Sequence, residues 1–190
     1  MNAMSKYLSN FIDLSSAANE YISSISEQKT LEKGEVLINQ GNKVDSIYFV
    51  EEGCMRSFRR NENGKDHTLC FAIKNSLISD FRSIHNSQLS GLTIECLKKA
   101  SIIQFTSEGF YHALEIFPEL EVIHRKHLEL RVSALEKRIL NQLMLPASER
   151  YEMFLNNYSE IESFVPNYYI ASFLGITQES LSRIRLKKIT

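Results

Sequence analysis

The sequence predicts an α+β chain: a β-rich N-terminal body preceded by short helices, then one long helix, then a C-terminal helix-turn-helix. Three observations predict it. From Thr30 to Thr106, short runs of β-branched and aromatic residues alternate with Gly- and Asn-containing turns. From Ser107 to about Tyr158 the apolar residues return to helical spacing and keep it. The stretch Asn167–Lys188, NYYIASFLGITQESLSRIRLKK, spaces its apolar residues as two short helices joined by a tight turn.

The bulk properties set bounds. A chain of 190 residues with a net charge of −1 has room for a real core and carries no histone-like coat of positive charge. Cys54, Cys70 and Cys96 are far apart and odd in number, with no CxxC pair, so neither a disulfide framework nor a zinc site is expected. No apolar run reaches the ~20 residues of a membrane span. The N-terminus, with Met4 as an alternative start, lacks the order of a signal peptide. The expectation is a cytoplasmic protein without membrane contact, metal or cofactor.

In chain order, Leu8, Phe11, Ile12, Leu14, Ala17, Ala18, Tyr21, Ile22 and Ile25 predict one or two short helices, with Ser15 as the cap between them. Strands follow around Val36–Asn39, Ser46–Glu51, Cys54–Arg60, His67–Ile73, Leu92–Lys98 and Ser101–Thr106. Turns separate them at Lys33-Gly34, Gln40-Gly41-Asn42, Glu52-Gly53 and Asn61-Glu62-Asn63-Gly64. Closely spaced strands of this kind form a sandwich or a jelly roll. Pro118 suits the first turn of the long helix. That helix carries two apolar stripes, Leu128, Val132, Leu135, Ile139 and Leu143 on one side and Leu120, Ile123, Leu130 and Ala134 on another. One stripe can pack on the β-rich body. The other needs a partner, and a second copy of the chain is the economical one, with Leu128, Val132, Leu135 and Ile139 as its interface. Pro146 starts a helix over Ala147–Asn157, and SEIESFV leads on to Pro166. The expected units are residues 1–116, 117–145 and 146–190.

At the C-terminus, Ile170, Leu174, Ile176, Leu181 and Ile184 can share one small core, with Ala171 where the two helices come closest. Gly175 suits a left-handed helix end, Thr177 an N-cap, and Glu179 the positive end of the second helix. Gln178, Glu179, Ser182, Arg183 and, further round, Lys187 are left facing outward. Arg183, Arg185, Lys187 and Lys188 stand against the single acid Glu179, the clustering that phosphate contacts require. In a helix-turn-helix, the second helix enters the DNA major groove. Arg183 offers a fork for guanine, Gln178 an amide for adenine and Glu179 an acceptor for cytosine. Ser182, Arg185, Lys187 and Lys188 suit phosphates. Thr177 completes the set.

With these parts in this order, the chain resembles the Crp/Fnr family of bacterial transcription regulators. Lys33–Gly53, KGEVLINQGNKVDSIYFVEEG, is similar to the opening of a cyclic-nucleotide-binding-type β-roll (a double-stranded β-helix), with Gly34, Gly41 and Gly53 at turns and Tyr48 and Phe49 in a core strand. Ile176–Arg185, ITQESLSRIR, is similar to the family's recognition helix. The resemblance implies a sensor roll, a dimerisation helix and a DNA-binding domain. It also implies a homodimer on palindromic double-stranded DNA, RNA polymerase as a further partner, and a small-molecule effector. The effector region then falls at Asp80, Phe81, Arg82, Ser90 and Gly91.

The departures from the family pattern matter. Its Gly-Glu pair on the ribose aligns with Ser79-Asp80, and its Arg-Ser or Arg-Thr pair on the cyclic phosphate aligns with Ser90-Gly91. Asp80 can still accept from a ribose hydroxyl, but a buried phosphate lacks its arginine, so weak or no cyclic AMP binding is expected. Seven residues follow Arg183, leaving no room for the β-hairpin of many relatives, and Ser159–Val165 is short for a wing. Iron–sulfur members group cysteines near the N-terminus, whereas the first here is Cys54. His124 and His127, with Glu121, share a helix face and read as exposed; His67 and His85 are isolated. Cys96 reads as a buried small hydrophobe. A roll that has lost its ligand and serves as a scaffold is one alternative. A cupin-type metalloenzyme is a remote one, because His67 stands alone.

Overall fold

The computed structural model describes residues 3–8 and 13–189, with the backbone alone at 3, 5, 188 and 189. Helices α1 (Ala3–Leu8) and α2 (Ser16–Ser24) lead into strands β1 (Ser26–Leu31), β2 (Val36–Ile38), β3 (Ser46–Arg60), β4 (Asp66–Ala72) and β5 (Ser76–Ile78). A short helix α3 (Phe81–His85) precedes β6 (Thr93–Thr106), and helices follow to the end: α4 (Ser107–Ile116), α5 (Pro118–Met144), α6 (Ala147–Glu162), α7 (Asn167–Leu174) and α8 (Gln178–Ile189). The expected positions Phe11 and Ile12 lie outside the described residues. Ser15 caps α2 as its sequence suggests, accepting from the Ala18 N–H at 3.1 Å.

The antiparallel sheet runs β1-β6-β3-β4, with β2 also on β6 and β5 also on β3. Two long strands carry this roll, and here the expected elements need correction. The expected turn at Glu52-Gly53 is absent: β3 runs unbroken, with register shifts against β6 between Val50 and Met55. These bulges bend the strand, so its first half pairs with β5 and its second half with β4. Gly53 is needed where β6 comes close to β3. It has φ of +98°, and a Cβ there would lie 2.5 Å from the Lys99 carbonyl oxygen. Likewise Leu92–Lys98 and Ser101–Thr106 are one strand, β6. The polar strand β1 (SEQKTL) and the three-residue β5 carry too little alternation to be read from sequence.

Among the described residues, three clusters of apolar side chains hold the fold together. One fills the roll around Tyr48, Val50, Met55, Ile94 and Ile102. A second joins the other side of β3 and β6 to α1, α2, α4 and the start of α5, through Phe49, Phe105, Phe110, Leu120 and Ile123. The third joins Cys54, Phe71 and Leu97 of the roll to Phe154, Ile170, Leu174 and Leu181 of the last three helices.

Helix α5 begins on Pro118, with Glu119 and Glu121 in its first turn. Its second expected stripe seats only its N-terminal end, since Leu120 and Ile123 pack on the roll while Leu130 is 63% exposed. The first stripe lies open: Leu128, Val132, Leu135, Ile139 and Leu143 are each more than 40% exposed. Helix α6 starts after Pro146 and outruns its expected end at Asn157, taking in part of SEIESFV beyond a kink at Tyr158.

Candidate nucleic-acid interface

Helices α7 and α8 meet through a turn whose residues follow from backbone chemistry. Gly175 takes φ of +68°, its N–H reaches Ser172 O at 3.2 Å, and the Ile176 N–H reaches Ala171 O at 3.0 Å. This paired closure satisfies carbonyls that the helix end leaves free. Thr177 then starts α8, its Oγ1 accepting from the Ser180 N–H at 3.2 Å. Ile170, Ala171, Leu174 and Leu181 are buried, and Ile176 and Ile184 half-buried, in the shared core.

The outward face of α8 carries Gln178, Glu179, Ser182, Arg183 and Lys187, all exposed, with Thr177 exposed at its start. The Ser182 hydroxyl donates to Gln178 O at 3.1 Å, and Arg183 Nη2 donates to Ser180 Oγ at 3.3 Å. The Glu179 carboxyl is held below the usual carboxylate range, first by a hydrogen bond from its own backbone N–H and then by the Thr177 hydroxyl. The Lys188 side chain lies outside the described residues.

Arg185 departs from its expected role as a phosphate contact. Its guanidinium points inward, with Nε donating to Tyr151 Oη at 3.0 Å, Nη1 donating to Asn167 Oδ1, and Nη2 3.1 Å from Glu162 Oε1. It ties α8 to α6 and α7 with its side chain only 24% exposed.

Residues 28–117 match the model of the cyclic nucleotide-binding domain. The transcriptional activator protein FnrA of Stutzerimonas stutzeri is 26% identical over 172 residues, spanning 82% of this chain and 68% of the relative. These matches support a Crp/Fnr-family transcriptional regulator. Its fold matches FixK2 from Bradyrhizobium japonicum, with a TM-score of 0.74 at 16% identity over 86% of this chain and 84% of that one. A crp/fnr-family regulator from Eubacterium rectale gives 0.73 at 20% identity, over 93% and 85% of the two chains. The Crp/Fnr relatives are transcription regulators rather than enzymes. No helix among its described residues is long and apolar enough to cross a membrane.

The expected effector region of this chain is closed. Asp80 and Ser90 are each 4% exposed. The Asp80 carboxylate caps α3, accepting from Ser83 N at 3.1 Å, Ser83 Oγ at 2.8 Å, Ser90 Oγ at 3.0 Å and Gly91 N at 2.9 Å. Burial pushes this carboxyl up, but the four hydrogen bonds outweigh it and hold the group below the ordinary range. Asp80 is thus an internal staple instead of a ribose acceptor. Arg82 is exposed on α3, and Phe81 packs beneath Arg131, whose guanidinium lies 5.1 Å from the ring centroid. None of the five expected residues lines the apolar cavity beside His124.

That cavity, of about 50 Å³, lies among Leu8, Phe49, Phe105, Phe110, Leu120 and His124. The two helix histidines, expected to be exposed, are half-buried beside it, and burial lowers the pKa of both. His124 Nδ1 is buried with no hydrogen-bond partner. Cys96 is buried as its sequence suggests, and burial with its thiol neighbours pushes Cys54 up to about 12, so neither is a reactive thiolate. No group of three or more metal-ligating side chains occurs among the described residues.

Proposed function

We propose that the chain is a homodimeric, sequence-specific DNA-binding regulator whose α8 helices enter successive major grooves of a palindromic site. The observation that carries this reading is the division of α8 into a buried apolar side and an outward side of Gln178, Glu179, Ser182, Arg183 and Lys187. The open stripe on α5 supports the dimer, with Leu128, Val132, Leu135 and Ile139 meeting their copies. The pair would set two reading helices ~34 Å apart. RNA polymerase is the partner through which such a regulator acts, in the cytoplasm. Selection of sites from random DNA tests this: a palindromic motif is expected, and equal affinity for selected and random duplexes contradicts it.

In this reading the roll responds to a small molecule other than cyclic AMP, because the position of the cyclic phosphate is sealed by Asp80, Ser83 and Ser90. The same seal favours a second reading, in which the roll is a scaffold without ligand. Thermal unfolding with cyclic AMP is expected to show no stabilisation in either case, since only a ligand that binds the native state raises Tm. A stabilisation that saturates would contradict both.

A further inference from the structure

The reading domain is fastened to the sensor roll at a free sheet edge. Strand β4 is an edge strand of the sheet, and such strands leave backbone groups unpaired. Ser172 of α7 takes two of them, accepting from the Thr68 N–H at 2.9 Å and donating to Asp66 O at 3.0 Å. Opposite β3, the register passes from Ser57↔Cys70 to Phe58↔Thr68, so Leu69 is an extra residue in a bulge. Arg138 of α5 fills that irregularity. Its guanidinium donates to Leu69 O, to Thr68 O at 3.4 Å and to Phe173 O at 2.9 Å, and lies 4.0 Å from the Phe173 ring centroid. One side chain of the long helix thereby touches both the roll and the reading domain.

Helix α7 is built for this contact. Tyr169, Ser172 and Phe173 stand at i, i+3 and i+4 and share one face. Tyr169 lies under the fully buried Arg56 of the roll, 3.3 Å from guanidinium carbon to ring centroid, and Phe173 packs on Phe71 at 5.3 Å. The opposite face, Ile170, Ala171 and Leu174, holds α8. Arg138 is half-buried on carbonyl groups, and no carboxylate lies within ion-pair distance of it among the described residues. A half-buried cation without a counter-charge adds little stability, and specificity of arrangement is a reason to keep one.

Covalently, the reading domain hangs from α5 by the extended pair Leu145-Pro146. A body held at that point alone can pivot. A second attachment on β4 removes the pivot and fixes α8 relative to the long helix. We propose that Arg138 and Ser172 are positioning residues that set the separation of the two reading helices, so that the protein discriminates half-site spacing as well as half-site sequence. This rests on the DNA-binding homodimer proposed above.

The test uses the full chain, its Ser172→Ala and Arg138→Met variants, and the palindrome selected by the wild type. Duplexes with half-sites moved by about 5 bp, half a helical turn, and a single half-site complete the set. Amide exchange at Thr68 reports the attachment without DNA, and is expected to accelerate in Ser172→Ala. Both variants should hold the single half-site within about twofold while spacing discrimination falls about tenfold or more, because the second reader loses effective concentration at the right place. An unchanged discrimination ratio overturns the proposal, whether or not Tm falls. So does its full recovery in Arg138→Lys, which keeps the charge and loses the planar fork. A wild type with no DNA preference overturns the DNA-binding reading itself, and this inference with it.

Discussion

Arg185 and Lys187 stand two positions apart on α8, so their side chains leave the helix about 200° apart. One faces Tyr151, Asn167 and Glu162; the other is exposed with the outward set. Lys187→Ala should leave stability within about 0.5 kcal/mol of wild type. It should weaken binding to every duplex alike and reduce the slope of log affinity against log salt by about 1. Arg185→Ala should instead unfold the C-terminal helices more easily, by about 1–3 kcal/mol, since Glu162 and Tyr151 lose a charged donor. Parallel melts and salt titrations separate the two, and equal melts would contradict the assignment. Sequence could not separate them, because the partners of Arg185 lie 34 and 18 residues away.

Asp80 is the residue where the reading from sequence went furthest astray: a carboxylate in the place of a ribose acceptor is spelled the same whether open or satisfied. Its folded pKa is depressed, so its contribution to stability is present above the unfolded value and is lost as pH falls through the lower folded one. Wild-type stability should therefore decline below about pH 4. Asp80→Asn should lose about 1–3 kcal/mol at neutral pH and show a shallower acid limb. Urea melts from pH 7 to pH 3 read both, and parallel acid limbs would contradict this account.

At the scale of elements, the signals that survived were those with a local physical cause. Pro118 and Pro146 open α5 and α6, Ser15 and Thr177 cap α2 and α8, and Gly175 ends α7. Gly53 misled because a glycine inside a bent strand and a glycine in a turn share the same need for positive φ. Only the approach of Lys99 distinguishes them, and that is a tertiary fact. On α5 the stripe Leu128, Val132, Leu135 and Ile139 was legible as apolar and stands exposed in the single chain. Leu135→Glu should convert the proposed dimer to monomer, because a charge facing its own copy across a two-fold axis is both desolvated and repelled. Sedimentation of the variant at micromolar concentration checks this. A dimer of unchanged affinity would place the contact elsewhere.

For the molecule as a whole, the order of β-rich roll, long helix and C-terminal helix pair was legible, because each part has its own period. What could not be read is how the parts are joined. Phe71 lies in the roll, yet packs on Phe154, Tyr158 and Phe173 of the C-terminal helices. Arg56 is a charge in a strand, yet it is fully buried between Asp66, Glu95 and Tyr169. Both belong to an interface that makes one body of two periodic patterns. That body presents α8 outward, and a two-fold mate would present it again. Site selection repeated with Arg183→Ala tests this most directly. The account predicts a palindrome in which preference is lost at one base of each half-site, symmetrically, with the rest of the motif and its spacing kept. An unaltered motif, or a loss confined to one half, would contradict it.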